Sequence, residues 1–428
     1  MAPNPVASSS VVTNSRDLIS TLRRGSVEAF SINFIGLGLM FLMHSVLGRL
    51  IGPEQYGIFS YALSIATLLS VVVPLGWHTA TMRFVAQYTA QRKPGLVLGS
   101  ILRGHQVTLI SYCLVFCLPW ALRRFDYLPP RLARSFLFAN LLLLPLTFFV
   151  LHHRIFRGLQ KIRASMIPKS IILPLLVIVS AFSFAAGTAH DVITLYFAAG
   201  VLSCFMSALW LWHTLQRNGL IVPPEYQTRI WLGIALPMAF GGFSRVIIDR
   251  ADILMLGVMD NMDVVGVYSA ATRIATMNTF ALAAIITIAS PLLSSAYHSE
   301  KLQEFRLILR RSMVWSAIAG FPLLMIMLLW PEAILKCFGE DFAGGSPLLR
   351  ILAVGQYINS ATGPVGMALL MSDQEGPFAL SGGVVAVMNI LANFLLILKM
   401  GALGAALATS LCLAILNLWR LYLCSKKI

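Results

Sequence analysis

The chain has 428 residues, of which 58% are hydrophobic and 11% charged, with a formal net charge of +15 and a mean hydropathy of +0.80. Average globular chains are about 45–50% apolar, so a soluble fold is excluded. The polar links are too short to hold a soluble domain, and no Gly-rich loop ending in Gly-Lys-Ser/Thr is present, which argues against direct use of ATP. The positive charge does not imply nucleic acid, because basic residues collect on the cytoplasmic links of multi-span membrane proteins.

In chain order, Met1 to Ser15 reads as a disordered tail rich in Ser, Asn, Pro and Val. A bilayer core of about 30 Å takes about 20 apolar residues per helix. On that basis spans are expected at 28–50, 58–80, 104–122, 135–153, 166–187, 191–214, 231–257, 264–293, 312–331, 346–371, 377–398 and 401–423. The first is too long for a signal-peptide core and lacks an Ala-x-Ala site, so it is read as retained. With the N-terminus inside, basic residues gather on the inner links: Arg16 to Arg24, Arg83 to Arg103, Arg154 to Lys169, Arg217 with Arg229, Lys301 to Arg311 and Arg420 to Lys427. Both termini are therefore expected in the cytoplasm, although Arg123 to Arg134 runs against this bias. Trp77, Trp120, Trp231, Trp330 and Trp419 fall near span ends, as an interfacial belt requires. The six cysteines show neither metal-site nor disulfide spacing and read as packing residues; no metal is expected.

The chain also repeats itself. Tyr56-Gly57-Ile58-Phe59-Ser60-Tyr61-Ala62 and Val265-Gly266-Val267-Tyr268-Ser269-Ala270-Ala271 are related at an offset of 209, and Gln160 and Gln374 open similar junctions at an offset of 214. Each motif of the first pair follows a short acidic link, Pro53-Glu54-Gln55 or Asp260 to Asp263. Six spans per half make the repeats parallel, with a site between the lobes and a rocking motion. The expected organisation is a tail (1–26), an N-lobe of spans 1–6 (27–220) and a C-lobe of spans 7–12 (221–428). The joint lies at Gln216 to Thr228, which contains Pro223-Pro224.

Charges inside spans mark the candidate site. Arg245 lies about 21 Å along span 7 from Trp231 at about 1.5 Å per residue, where an arginine costs roughly 2.5–3.5 kcal/mol on insertion scales. Asp249 and Asp252 share its face, Arg250 points elsewhere, and Pro237 with Gly241-Gly242 allows a bend. Arg245 and Asp249 make either a self-neutralising i,i+4 pair or a cationic patch with a tuned carboxylate. Arg250 and Asp252 either line the same site or pin span 7 near the outer interface. Arg273 in span 8 has no acid nearby in sequence and is the second cavity candidate, with pairing to Asp249 or Asp252 as its alternative. Arg49 ends span 1, as a cavity residue or an interfacial anchor; Arg83 is a positive-inside residue or a guard of the cytoplasmic mouth. Glu28 partners Arg24 or Arg83, or lines the inner opening, and His44 and His78 read as core residues.

Three stretches carry a family resemblance. Gly52-Pro53-Glu54-Gln55-Tyr56-Gly57-Ile58-Phe59, followed by Leu75-Gly76 and Arg83-Phe84-Val85-Ala86, is similar to the opening of polysaccharide-transporter (Wzx-type) flippases. Arg250-Ala251-Asp252-Ile253-Leu254-Met255-Leu256-Gly257 resembles their seventh span, and Gly404 to Thr409 the start of their last. The resemblance implies an all-α integral membrane protein of the multidrug/oligosaccharidyl-lipid/polysaccharide exporter superfamily, with about twelve transmembrane helices in two six-helix lobes around a central cavity. It also implies that the protein is no enzyme and moves undecaprenyl-diphosphate-linked oligosaccharide, such as an O-antigen unit, across a bacterial inner membrane. The cationic cavity it implies falls on Arg245 and Arg273, then Arg250 and Arg49, with Asp249, Asp252 and Glu28 as charge partners. No cofactor is expected beyond a coupling proton or sodium ion; membrane lipids, a glycan polymerase and a chain-length regulator are the expected partners, and nucleic acid is not. The chain lacks an acid deep in span 1, unlike multidrug members of the superfamily. The rival readings are a drug or metabolite antiporter on the same fold, a membrane glycan polymerase or ligase, and a non-transporting scaffold.

Overall fold

The computed structural model describes the backbone of residues 15–124 and 130–427, with side chains over 28, 30–117, 135–236, 238–239 and 243–426. The tail at 1–14 and the side chains of the Arg123 to Arg134 link lie outside these limits. The described chain is helical, and eight of its stretches are individually long and apolar enough to cross a bilayer.

The first of these, Phe30–Val72, holds two spans. Gly52 has φ 72° and ψ 174°, a conformation that favours glycine, and Pro53 starts the next helix with the φ that its ring imposes. On a continuous helix His44 and Tyr56 would stand about 18 Å apart, yet His44 Nδ1 and Tyr56 Oη are 3.3 Å apart. The chain therefore reverses at Gly52, and Pro53-Glu54-Gln55, expected as a link, forms the first turn of span 2. Span 2 continues after a break at 73–76 as Trp77–Ala90. Spans 3 to 6 are Pro94–Arg124, Pro130–Gly158, Ile162–Ser183 and Ala189–Arg217. Span 7 is Thr228–Met259, helical through Pro237 and the two glycines; span 8 is Met262–His298 and span 9 Leu302–Leu329. Span 10 is split into Ser346–Thr362 and Pro364–Met371, span 11 is Glu375–Met400 and span 12 is Ala402–Lys427. A single left-handed glycine, Gly401, joins the last two.

The repeat is visible in the backbone. Span 8 is interrupted by a 3-10 turn at Met277–Thr279, close to the position matching the break in span 2. Turns between spans 2 and 3 and between spans 8 and 9 use positive-φ residues, Arg92 and Glu300; those after spans 4 and 10 use Gln160 and Asp373. The repeated motifs also meet. A Cβ on Gly57 would lie 1.8 Å from the Met262 carbonyl oxygen, and one on Gly266 would lie 2.0 Å from the Pro53 carbonyl oxygen. Each copy of the glycine thus admits the backbone of the other copy. This close crossing seals the end of the bundle remote from the chain termini. There the fully buried ring of Tyr56 packs on Phe338 and Phe342 from the link after span 9, with centroids 5.9 and 5.8 Å away.

A second contact joins the lobes in the other half of the molecule. Trp77 and Trp231, both fully buried, meet edge to face at 6.2 Å, and a Cβ on Gly76 would lie 2.0 Å from the Ala235 carbonyl oxygen. These two tryptophans were expected at the lipid interface. They instead wedge span 2 against span 7, because glycine beside Trp77 lets the helices approach. Trp330 is exposed at a span end, as the belt requires.

Candidate functional site: a cationic face between the lobes

Three cations from three spans converge between the lobes. Arg250 and Arg273, from spans 7 and 8, act electrostatically on one another and on His44, Tyr56 and Tyr196 of the N-lobe. Lys169, from span 5, lies within the electrostatic reach of Arg250. None of the three makes an ion pair among the described residues. The Arg273 Nε is buried without a hydrogen-bond partner. Like charges gathered where the dielectric is low repel strongly, and a buried donor without a partner is costly.

Lys169 was counted among the cytoplasmic link charges. The structure places it inside span 5, within the π-helical turn Pro168–Ile172. A π-turn inserts a residue and swings the following side chains to a new face, a device found frequently at functional sites. Here the Ser203 hydroxyl of span 6 donates to the Pro168 carbonyl at 2.6 Å and holds the turn in place. The sequence signal was available: Lys169 lies three residues inside the expected fifth span.

Asp252 is the acid of the site. It is 1% exposed and accepts from Tyr268 Oη at 2.6 Å, from Thr409 Oγ1 at 3.2 Å and from the Ile253 amide at 2.7 Å, while lying in the field of Arg250. It thus ties spans 7, 8 and 12 together inside the C-lobe. Arg245 and Asp249, on the same helix face as Asp252, are exposed and pair with each other at 3.0 Å. The face they share passes from open to covered within two turns, so Arg245 does not join Arg250 and Arg273.

The remaining candidates stand apart. Arg49 is exposed at the sealed end and donates to the Lys336 carbonyl at 3.2 Å, tying span 1 to the link after span 9. Glu28 does not pair with Arg83, and the Arg24 side chain lies outside the described residues. Glu28 receives Arg163 from the start of span 5, with Nε to Oε2 at 3.0 Å, and this guanidinium holds the carboxyl below the usual carboxylate range. Arg83 is exposed on the second half of span 2. His44 is buried against Tyr56 and Phe59, while the Nδ1 of buried His78 has no partner. Arg420, counted as a terminal link charge, is 8% exposed; it stacks over Phe378 at 4.0 Å and donates to Ser381 Oγ at 3.2 Å.

Twelve spans in two related lobes define the architecture of a membrane transporter rather than an enzyme. The chain belongs to the family described as polysaccharide biosynthesis protein, whose profile matches residues 22–297, and a MatE profile matches 237–395. It is 22% identical over 401 residues to a probable low-salt glycan biosynthesis flippase, Agl15, of Haloferax volcanii, covering 92% of this chain and 81% of that protein. Over 163 residues it is 28% identical to the probable flippase AglR of the same organism, covering 37% of this chain and 34% of that one. Among solved structures it resembles an inward-facing multidrug MATE transporter, with TM-score 0.73, 13% identity and coverage of 94% and 98% of the two chains. The inward-closed lipid II flippase MurJ matches with TM-score 0.68, 15% identity and coverage of 92% and 87%. These likenesses establish the two-lobed fold of the exporter superfamily.

Proposed function

We propose that this protein is a flippase for polyprenyl-diphosphate-linked oligosaccharide, of which the undecaprenyl-linked O-antigen unit is one form. The carrying observation is the cluster of Lys169, Arg250 and Arg273, drawn from both lobes and matched by no free carboxylate. A diphosphate supplies the missing anion, and arginine donates to it through paired, coplanar N–H groups. Because Lys169 belongs to the N-lobe and both arginines to the C-lobe, a bound head group holds the lobes together from either side. Rocking then exposes it to the opposite leaflet. Asp252 fixes the helix that carries Arg250 and limits how tightly the site grips.

The glycan relatives in Haloferax volcanii support a glycan cargo. The basic turns at the termini end, with Arg92, Lys93, Lys161, Arg163 and Lys301, support placing both termini in the cytoplasm, and a bacterial inner membrane is the proposed location. A glycan polymerase and a chain-length regulator are the proposed partners downstream, and coupling to an ion gradient is the proposed drive.

The test is complementation of a strain lacking the gene with Lys169→Ala, Arg250→Ala, Arg273→Ala and Arg245→Ala at matched membrane levels. Surface glycan and the leaflet of the lipid-linked oligosaccharide are the readouts. The first three variants strand the intermediate on the cytoplasmic face, and Arg245→Ala has the mildest effect. Intact surface glycan in the Arg250→Ala, Arg273→Ala double variant refutes the assignment; raised drug sensitivity in its place marks an antiporter.

A further inference from the structure

Span 3 carries His105 and span 4 carries His152, 47 residues apart in sequence. Their Nε2 atoms lie 3.0 Å apart, and His152 is 3% exposed. The other nitrogens are occupied too: His105 Nδ1 stands 2.8 Å from the Ile101 carbonyl, and His152 Nδ1 stands 3.1 Å from Ser207 Oγ on span 6. A carbonyl only accepts, so His105 carries its proton on Nδ1. In the neutral pair His105 Nε2 must then accept from His152 Nε2–H, and His152 Nδ1 must accept from the Ser207 hydroxyl. The result is a directed line of hydrogen bonds with one vacancy for a proton, at His152 Nδ1.

We propose that His105 and His152 form a proton-binding site inside the N-lobe, and that Ser207 reports its occupancy to the cationic face. When a proton binds His152 Nδ1, that nitrogen becomes a donor to Ser207 Oγ, and the excess charge is shared across the Nε2–H–Nε2 bridge. The Ser207 hydroxyl must then donate elsewhere, and the carbonyl of Ser203, four residues back, is its natural acceptor. Such back-bonding bends a helix. Ser203 is the residue whose hydroxyl holds the Pro168 carbonyl and hence the π-turn bearing Lys169. One proton therefore acts on span 6 at the turn that positions Lys169 towards Arg250.

His152 is buried, so a charge on the pair is costly and the proton is weakly held. Titratable and charged groups on the helices that carry the pair and on those packed against them are Arg103 of span 3, stacked on Tyr226 at 4.8 Å; His78 of span 2; His153 and Arg154 of span 4; Lys169 of span 5; Cys204 and His213 of span 6; and Glu225, which packs on Gly95 at the start of span 3. Among the described residues neither histidine of the pair makes an ion pair. Intramembrane ionisable groups are expensive and mark ion or proton pathways, and imidazole is the side chain suited to exchange between about pH 5 and 8.

The inference rests on the two-lobed transporter reading but needs no substrate, so its failure leaves the glycan assignment standing. Full-length protein in nanodiscs, labelled with 15N-histidine, is titrated between about pH 5 and 8 by NMR. In parallel, spin labels at Glu54 and Asp263 report the distance between lobes at the sealed end. Expected are uptake of one proton by the coupled pair and a pH-dependent shift in the distance distribution. The shift is lost in the His105→Gln, His152→Gln double variant and retained in His298→Gln. Ser207→Ala separates binding from transmission: the pair still titrates, and the distance shift is lost. A pair that takes up no proton across this range overturns the site, and a Ser207→Ala protein that shifts like wild type overturns the relay.

Discussion

Gly57→Ala is the sharpest probe of the lobe contact. The added methyl would sit 1.8 Å from the Met262 carbonyl oxygen, whereas real Cβ contacts essentially never fall under 3.0 Å, so the backbones must separate by at least about 1.2 Å there. The obstacle is backbone, so no side chain can rotate away. Overpacking of a well-filled contact costs about 1–3 kcal/mol, and the same free energy placed on a two-state equilibrium moves it about 5- to 150-fold. Because the clash exists only while the lobes meet at this end, the strain falls on the sealed state. Spin labels at Glu54 and Asp263, exposed positions related by the repeat, read the outcome as growth of a longer-distance population. Gly266→Ala behaves alike, with its Cβ 2.0 Å from the Pro53 carbonyl oxygen. Gly38→Ala, which meets nothing within 4 Å, is the control and leaves the distribution unchanged. Wild-type distances and wild-type surface glycan in Gly57→Ala would refute the claim that these backbones close the far end.

Three further outcomes follow from the site. Arg273→Ala lowers flipping about 10- to 100-fold, since hydrogen bonds to charged groups are worth about 1.5–3 kcal/mol; Arg273→Lys retains part of it, and equal loss in both points to packing rather than charge. Asp252→Ala leaves the Tyr268 and Thr409 hydroxyls without their acceptor, at about 1–3 kcal/mol each, so thermal unfolding in detergent moves down clearly, while Asp249→Ala hardly changes it. The Glu28–Arg163 pair shows acid dependence only. The folded carboxyl titrates below its unfolded value, so the contribution of the pair is complete above about pH 4.3 and is lost as pH falls through the lowered value. A spin label on the N-terminal turns of span 1 gains mobility in acid and is unchanged by Glu28→Gln at low pH; a mobility change near neutrality contradicts this.

Much of the architecture was legible because membrane spans announce themselves locally, by length, hydropathy and the glycines or prolines that stop them. Gly52, Gly401 and the paired motifs around Gly57 and Gly266 all lie in short windows that a reader of the sequence can see. The site was less legible. Arg250 and Arg273 were visible as charges in apolar surroundings, but their neighbour Lys169 sits near a span end, where a lysine ordinarily reads as an anchor; only the π-turn turns it inward. The partners of Asp252 are 16 and 157 residues away, and those of His152 are 47 and 55 away. Such pairings depend on how helices rotate against one another, which no periodicity within a single span encodes. Trp77 and Trp231 misled for the same reason: position along a helix was readable, and the neighbour it would meet was not.

The crossing of Gly57 with Gly266 has an evolutionary reading. A surface that fits its own copy across a two-fold axis is the interface of a symmetric dimer. A half-length ancestor bearing one Pro-x-x-x-Gly turn could have closed the same contact between two separate polypeptides. Fusion into one gene would then have freed each side to change alone. The present chain has used that freedom unevenly: Pro53 stands where the other copy has Met262, and the lysine contributed by one half lies near an arginine contributed by the other. A cargo with two different ends favours such asymmetry, since it has no two-fold axis and a perfectly symmetric cleft would offer it two equal and opposite poses.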